Sequence, residues 1–151
     1  MMKNVLLARP HPFIVQEMKP LLEQCHYSVL KPDCFADIGA QAKRSGAALI
    51  SLAVVSSIDA SVEKVVDSVL DINPKLPIIF AALLPFDVAA TTIADLLDKK
   101  GINAQIVGVS NSDQYGSLER VDTPVLYLSK SDLTDQKRRE ITKQLLLRHI
   151  G

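Results

Sequence analysis

Short apolar runs alternate with amphipathic stretches along the whole chain of 151 residues. Each run is about four to eight residues long, the length expected of a strand buried on both faces of a parallel sheet. The runs lie at 5–8, 27–30, 47–54, 77–84, 104–109 and 124–129. Helices are predicted between them, so the chain has the alternating order of an α/β domain.

Four of the connecting stretches carry apolar residues at helical spacing, which predicts the buried face of each helix. In the first they are Ile14, Met18, Leu21, Leu22 and Cys25. In the third and fourth they are Val62, Val65, Val66 and Val69, then Ala89, Ile93, Leu96 and Leu97. A last helix, predicted from Asp132 or Thr134 to about Arg148, has Leu133, Ile141, Leu145 and Ile150 inward. The second helix, over about 35–44, has a weaker pattern.

Proline, glycine and aspartate predict where these helices begin, bend and end. Pro12 suits the first turn of the first helix, whereas Pro20 removes an interior hydrogen bond and predicts a kink. Gly46 and Gly101 are predicted to end the second and fourth helices. The predicted N-caps of the third and fourth helices are Asp59 and Asp87.

The predicted architecture is a three-layer sandwich of flavodoxin-like type, with one domain over residues 1–151. Its central parallel sheet has five strands in the order 2-1-3-4-5, the simplest doubly wound order for a chain of this length. Residues 104–109 are strand-like, and residues 110–123 are polar and predicted as a loop. Function in such folds lies at the carboxyl ends of the strands.

Composition excludes several classes of function. The net charge is +0, which gives no bulk attraction to nucleic acid or membrane. Trp is absent, so an aromatic platform for bases is not expected. Neither a transmembrane run nor a signal peptide is found. Cys25 and Cys34 have no metal-binding spacing and are predicted to be reduced thiols in a cytoplasmic protein.

The order and spacing of residues at four predicted strand ends, LeuAlaArgProHisPro at 7–12, Ser51, Ala82 and Lys130, resemble the frame of response-regulator receiver domains. The resemblance extends over the whole chain and is best over 3–100. Receivers have acidic residues after the first strand, before HisPro; this chain reads LeuAlaArgProHisPro at 7–12. Ser51 stands where receivers have the phosphoacceptor Asp, and Ala82 where they have Thr or Ser. Lys130 matches the receiver lysine that ends the fifth strand, and of the five signature positions it alone is kept. A receiver needs fewer residues between its fourth helix and this lysine, so the resemblance implies that residues 102–123 are an insertion, with a possible extra strand of its own.

These departures remove the chemistry that the resemblance would imply. Aspartyl phosphorylation needs a carboxylate nucleophile and a Mg²⁺ held by carboxylates. Arg9 repels a divalent cation, Pro10 has no side-chain ligand atom, and Ser51 is not a carboxylate. We therefore expect no metal, no cofactor and no catalytic residue.

The altered pocket comprises Arg9, Pro10, His11, Ser51, Ala82 and Lys130. We expect Arg9 and Lys130 at neighbouring strand ends near the first helix, where two cations suit an anion or a nucleotide. The alternative is that Lys130 is a remnant and that Arg9 pairs with a surface carboxylate.

The remaining polar residues favour structural roles. His11 is interpreted as a turn residue before Pro12, and the other histidines, His26 and His149, have no partner at a catalytic spacing. Asp33 and Asp37 are interpreted as turn and cap residues. The basic positions of the last helix are Lys137, Arg138, Arg139, Lys143 and Arg148. Acidic residues interrupt them, which favours a solvated face over a nucleic-acid contact.

The sequence therefore predicts a non-catalytic pseudo-receiver that acts without phosphorylation, by binding a signalling partner or by forming a homodimer. The alternative is a sensor of a small anion or nucleotide at Arg9 and Lys130. Receivers commonly bind partners through the fourth helix, fifth strand and fifth helix, and here the 102–123 insertion alters that face. The chain is either a stand-alone regulator or the regulatory domain of a longer protein.

Overall fold

A parallel sheet lies at the centre of the computed structural model, which describes residues 3–52, 58, 60–102, 104–114 and 123–150. Within these ranges there are six strands, and the pairs that lie side by side are parallel. They are β1 (Asn4–Arg9), β2 (Ser28–Leu30), β3 (Ala47–Ser51), β4 (Ile78–Ala82), β5 (Ala104–Val107) and β6 (Thr123–Ser129).

Helices cover both faces of this sheet. They are α1 (Pro12–Gln24), α2 (Ile38–Ala42), α3 (Val62–Ile72), α4 (Phe86–Asp98), α5 (Lys130–Thr134) and α6 (Gln136–Ile150). A 3₁₀ turn, Phe35–Asp37, precedes α2, and a second 3₁₀ segment, Val109–Gln114, follows β5. None of the described helices is long and apolar enough to cross a membrane.

The strand order is β2-β1-β3-β4-β6-β5. The predicted order 2-1-3-4-5 is confirmed, with the predicted fifth strand now being β6. The insertion adds β5 beyond it at the edge of the sheet, as the strand-like pattern at 104–109 predicted.

The direction of each connection determines which face its helix covers. Connections from β2 to β3, β3 to β4 and β4 to β5 run one way along the sheet, and α2, α3 and α4 pack in one core cluster. The connections from β1 to β2 and from β5 to β6 run the other way. They contain α1 and the second 3₁₀ segment, and residues of both, Val109 among them, pack with α6 in the opposite core cluster. Opposite directions on opposite faces keep all crossovers to one hand, as parallel sheets require.

The core forms because the strands are apolar on both sides. Every residue of β3 and β4 is buried, and so are Val5–Arg9 of β1. The helical stripes predicted for the third and fourth helices are confirmed, since their residues pack in one core cluster. In the last helix, Leu133, Leu145 and Ile150 are buried, but Ile141 is exposed, so its predicted inward position is wrong.

Helix ends were predicted less well than helix faces. Ser61, not an aspartate, is the N-cap of α3, and its side chain accepts from the N–H of Lys64 at 3.2 Å. Asp59, the residue predicted for that role, lies outside the described residues. Pro85 is the N-cap of α4, and Asp87 lies in the first turn, so that cap prediction is wrong.

Two glycines predicted as helix ends have different roles. Gly101 has a φ of +74°, which suits the position that follows a helix, and it lies just beyond α4. Gly46 does not cap α2, which ends at Ala42; its N–H instead bonds to the Asn4 carbonyl at 2.7 Å, beside the start of β3. The predicted helix over 35–44 is thus a 3₁₀ turn and a short α-helix.

The last helix is in fact two helices. α5 ends at Thr134, Asp135 has extended backbone angles, and α6 begins at Gln136. Pro12 lies in the first turn of α1 as predicted, and Pro20 lies inside that helix. The kink predicted at Pro20 stays a prediction.

Candidate functional site

The carboxyl edge of the sheet brings most of the altered pocket into one row. Arg9 lies opposite Ile50 after a register shift in β1, and Ser51 lies opposite Ala81. Ala82 lies opposite Ser129, the last residue of β6, and Lys130 follows directly. The strand registers therefore place these positions at the edge where the receiver resemblance puts the pocket.

Arg9 is a buried structural cation, only 6% exposed. Its Nη1 donates to the Ser51 carbonyl at 2.9 Å, and its Nε donates to the Ala60 carbonyl at 3.1 Å. Burial lowers the pKa of Arg9 from its ordinary value, but a guanidinium stays charged in proteins. The side chain therefore ties the end of β1 to the end of β3 and to the segment that leads into α3.

The other pocket residues differ in their access to solvent. Ser51 is 0% exposed, Pro10 and Ala82 are buried, His11 is half-buried and Lys130 is exposed. A phosphoacceptor must be open to its phosphodonor, whereas the Ser51 side chain is enclosed and its carbonyl is held by Arg9.

Arg9 and Lys130 do not lie at neighbouring strand ends, so that expectation is wrong. β3 and β4 lie between β1 and β6, because β6 takes the place next to β4. Three steps of ~4.8 Å separate these strands by roughly 14 Å. Binding of an anion in this pocket stays a prediction, but the structure gives Arg9 a role that neither sequence interpretation included.

Asp132 is a buried carboxylate of this edge that the sequence singled out only as a possible helix start. Its Oδ2 accepts from the N–H of Ser129 at 2.8 Å, and its Oδ1 accepts from Nε of Arg138 at 2.8 Å. The hydroxyl of Thr142 donates to its carbonyl at 2.9 Å. This carboxylate caps α5 and joins it to α6, and the Ser-x-x-Asp spacing was the signal that predicts such a cap.

Tyr127 is a second residue that sequence reasoning missed. It is fully buried in β6, and its hydroxyl donates to the Leu84 carbonyl at 2.6 Å and lies 3.3 Å from that of Ala82. Burial, followed by the charge of Asp132, raises the pKa of Tyr127 to about 12. A tyrosine in an apolar strand gives no sign of which carbonyls it will reach, so sequence offered no signal.

Two neighbours of Tyr127 complete a rigid corner between β4, α4 and β5. The ring of Phe86 lies 6.3 Å from that of Tyr127, tilted by 55°. Gly108 lets Phe86 approach, because a Cβ there would lie 2.7 Å from the ring. The start of α4 is therefore held by packing from one side and by the Tyr127 hydroxyl from the other.

Metal ligands do not converge anywhere in the described part of the chain, where no three His, Cys, Asp or Glu side chains form a possible metal site. At the edge itself the β1 position is a buried cation and the β3 position a buried serine. This donor set does not fit a magnesium ion, which takes oxygen ligands, carboxylates among them.

The other polar candidates have structural contacts. Buried His149 places Nε2 3.0 Å from the Ile78 carbonyl, and burial lowers its pKa. His26 is exposed with a φ of 68°, just after α1. Cys25 and Cys34 are free thiols, and that of Cys34 lies 3.6 Å from the Asp37 carboxylate.

The basic positions of the last helix are largely engaged in contacts within the chain. Arg138 pairs with Asp132, and Arg139 donates to the Leu133 carbonyl at 3.0 Å and to Gln24 at 3.2 Å. Lys143 pairs with Glu140 at 3.3 Å. These contacts favour the structural interpretation of the helix over a nucleic-acid interface.

Comparison with known proteins places this geometry in a known fold. No family model and no curated protein matches the sequence. Among solved structures, the receiver domain of a sensor histidine kinase from Pseudomonas aeruginosa PAO1, with a magnesium ion in its active-site cleft, is 16% identical, with a TM-score of 0.52. That match covers 100% of this chain and 99% of the other. A response regulator receiver protein from Sinorhizobium medicae WSM419 is 12% identical, with a TM-score of 0.51, over 98% of this chain and 97% of the other. The chain therefore has the receiver fold, a flavodoxin-like α/β sandwich, extended by one edge strand.

Proposed function

We propose that residues 1–151 form a receiver-like signalling domain that works without phosphorylation and acts by binding a protein partner. One observation carries the proposal: the Arg9 guanidinium lies buried at the end of β1 and is bonded to the carbonyls of Ser51 and Ala60. In a receiver this position belongs to the acidic group that binds the metal. Here a fixed positive charge of the chain itself joins β1 to β3.

Electrostatics is the first reason why the ordinary phosphorylation reaction should fail. The metal in phosphoryl transfer neutralises the charge that develops on the transferred group, and it needs anionic ligands. The Arg9 guanidinium repels such an ion at short range, and the low dielectric of a buried site strengthens that repulsion.

Nucleophile chemistry is the second reason. An acyl phosphate forms only on a carboxylate, and the residue at the end of β3 is Ser51, whose side chain is enclosed. Asp132, the buried carboxylate near this edge, already accepts from a backbone N–H and from Arg138. These contacts support the proposal that no side chain of the edge serves as a phosphoacceptor.

An exposed apolar patch at the start of α4 supports protein binding. Leu83 is 61% exposed, Leu84 40% and Val88 51%, and the three lie within six positions of the sequence. The Tyr127 hydroxyl holds the Leu84 carbonyl, so this part of the chain is fixed before a partner arrives. Preorganisation of this kind lowers the entropy cost of binding.

Acidic residues further along α4 indicate the chemistry of the partner. Asp87, Asp95 and Asp98 are exposed on α4, where Lys99 is the exposed cation at its end. Asp95 and Asp98 also line a groove of about 260 Å³ with Ala94, Ile102 and Ala104. We therefore propose a partner protein with an apolar, basic surface, because opposite charges steer association.

Acetyl phosphate with Mg²⁺ tests the central claim. Intact-mass measurement is expected to show no added phosphoryl group, while a phosphorylatable receiver in the same tube becomes modified. A stoichiometric, acid-stable and base-labile acyl phosphate on this chain would overturn the proposal. The Ser51→Ala variant is the matched control, because any ester formed on the Ser51 hydroxyl disappears in it.

Capture of binding proteins from the source cells tests the surface. A partner that the wild-type chain binds should be lost by a Leu83→Asp/Val88→Asp variant and released by moderate salt. Leu147→Asp is the control, since Leu147 is equally exposed but lies on α6. A partner retained by the patch variant and lost by the control would assign binding to α6 instead.

A further inference from the structure

Among the strands that the structure describes, β5 is the last of the sheet, and none of them lies on its outer side. An open edge presents unpaired N–H and C=O groups, which can pair with a strand of another molecule. Proteins usually protect such edges with charged residues, proline or bulges. The residues of β5 are Ala104, Gln105, Ile106 and Val107, which include neither a charge nor a proline.

The register with β6 determines which backbone groups of β5 point outward. Gln105 lies opposite Pro124, and Ala104 lies opposite Thr123. In a parallel ladder, alternate residues bond to the neighbouring strand. If Ala104 and Ile106 were the bonded set, the Ala104 carbonyl would need the N–H of Pro124, which has none. Gln105 and Val107 therefore bond to β6, and the outward groups belong to Ala104, Ile106 and the next residue, Gly108.

The Asn111 side chain occupies two of these outward positions. Its Nδ2 donates to the Ile106 carbonyl at 3.2 Å, and its Oδ1 accepts from the Gly108 N–H at 2.7 Å. A carboxamide offers one acceptor and one donor side by side, as the backbone of a neighbouring strand does. The Asn111 side chain therefore makes the two hydrogen bonds that one residue of a neighbouring seventh strand would make.

We propose that Asn111 is a plug that prevents the outer edge of β5 from pairing with the same edge of a second copy of this chain. A second copy is the fitting occupant, because two β5 strands related by a twofold axis present the same outward donors and acceptors to each other. The strand carries no charge that would repel its copy. Asn111 competes for the Ile106 and Gly108 groups that such a pair would use.

The Asn111→Ala variant tests the plug by sedimentation velocity over a range of concentrations. We expect the wild type to be monomeric where the variant dimerises, with an association constant roughly tenfold higher or more, because a competing interaction of hydrogen-bond strength is removed. Hydrogen exchange should locate the contact: the amides of Ala104, Ile106 and Gly108 gain protection as the variant dimerises. A wild-type dimer formed through β5, or a variant that stays monomeric, would overturn the proposal.

Two further variants test whether dimerisation depends on the loss of the Asn111 contacts and on the edge of β5. Asn73→Ala is the matched control, because Asn73 also accepts from a backbone N–H, that of Lys75 at 3.0 Å, but in an exposed turn outside the sheet. It should stay monomeric. Adding Ala104→Pro to Asn111→Ala removes an outward N–H and should restore the monomer, since proline is tolerated on edge strands. Dimers that persist in the double variant would place the contact elsewhere and refute the plug.

If Asn111→Ala does not fold, Asn111→Asp tests the contact of Asn111 with the edge of β5 by hydrogen exchange instead of by dimerisation. The carboxylate still accepts from Gly108 but cannot donate to Ile106, so the edge is half open and carries a charge that repels a second copy. This variant should stay monomeric. Its Gly108 amide should remain protected from hydrogen exchange, while the amides near Ile106 should exchange faster. Equal exchange in this variant and the wild type would show that Asn111 does not hold the Ile106 carbonyl and would overturn the proposal.

Discussion

The two halves of the carboxyl edge differ in their exposure to solvent. Between β1 and β3, a buried Arg9 closes the edge with two hydrogen bonds to backbone carbonyls. Between β4 and β6, Tyr127 also bonds to backbone carbonyls, but the segment that it holds carries Leu83 and Leu84 into solvent. In both halves a polar side chain bonds to main-chain carbonyls. In the first half this contact closes the edge, and in the second it holds a segment whose apolar side chains are exposed.

Under the proposed function, this contrast indicates how a receiver fold keeps its architecture without the phosphorylation reaction. The frame depends on buried apolar strands and on satisfied backbone groups, and neither requirement calls for a carboxylate or a metal. A cation of the chain can therefore take the position of the bound one, if carbonyl oxygens surround it. Surfaces elsewhere on the domain can then still bind a partner.

The largest expected effect is on the sealed half. Arg9→Ala removes the hydrogen bonds from the guanidinium to the carbonyls of Ser51 and Ala60 and opens a void. Charge-assisted bonds of this kind predict a loss of about 3 kcal/mol in the free energy of unfolding. Urea denaturation measures it, with the exposed Arg44→Ala as control. A change below about 0.5 kcal/mol would mean that Arg9 is not structural, and the comparison would fail.

The next effect concerns Tyr127 at high pH. Its pKa is raised to about 12 in the folded protein, from an ordinary value of 10.0. A raised pKa means that the unfolded state releases the proton first, so the stabilisation is complete below pH 10 and is lost as pH rises toward 12. The fall should reach a few kcal/mol, at 1.36 kcal/mol per pKa unit.

The variant Tyr127→Phe isolates this effect from the titration of surface lysines. It should lose about 1 kcal/mol at neutral pH, through its hydrogen bonds to the carbonyls of Leu84 and Ala82, and should lack the extra alkaline fall. Parallel alkaline curves for the two proteins would show that the hydroxyl is not held as described.

The smallest effect on stability is expected at the presented surface. Leu83→Asp and Val88→Asp should change the free energy of unfolding by less than about 0.5 kcal/mol, since both side chains are more than half exposed. Thermal unfolding measures this, and Val69→Asp in the buried face of α3 is the control that should unfold the protein. A large loss at Leu83 would mean that the patch is part of the core rather than a binding surface.

Sequence reasoning succeeded where a pattern repeats along one element. Strand existence and helical faces depend on short-range periodicity, so β1 to β4 and the stripe from Val65 to Val69 were found. It was less reliable at helix ends. Ser61 and not Asp59 caps α3, and Pro85 and not Asp87 is the N-cap of α4, because local backbone geometry selects the cap and residue spacing does not encode it. Ile141 failed for a similar reason, since α6 begins anew after Asp135 and turns that position outward.

The sequence predicted where the site lies, but not the contacts that its residues make. Loss of the acidic residues is visible in Arg9, Pro10, Ser51 and Ala82, because residue type alone shows it. The bonds of Arg9, the capping carboxylate of Asp132 and the reach of Tyr127 cross between elements that are far apart in the chain. Distances of that kind depend on strand order, and no local signal specified that β5 lies outside β6 at the edge of the sheet.

The amino-acid sequence by itself determined the alternating elements, the two-sided burial of the sheet and the absence of receiver carboxylates, since these follow from residue type and spacing. Only the tertiary structure decided that Arg9 is enclosed, that Leu83 and Val88 face solvent and that Asn111 covers the edge of β5. Periodicity acts within a few residues, whereas these contacts arise where strands and loops from distant parts of the chain converge.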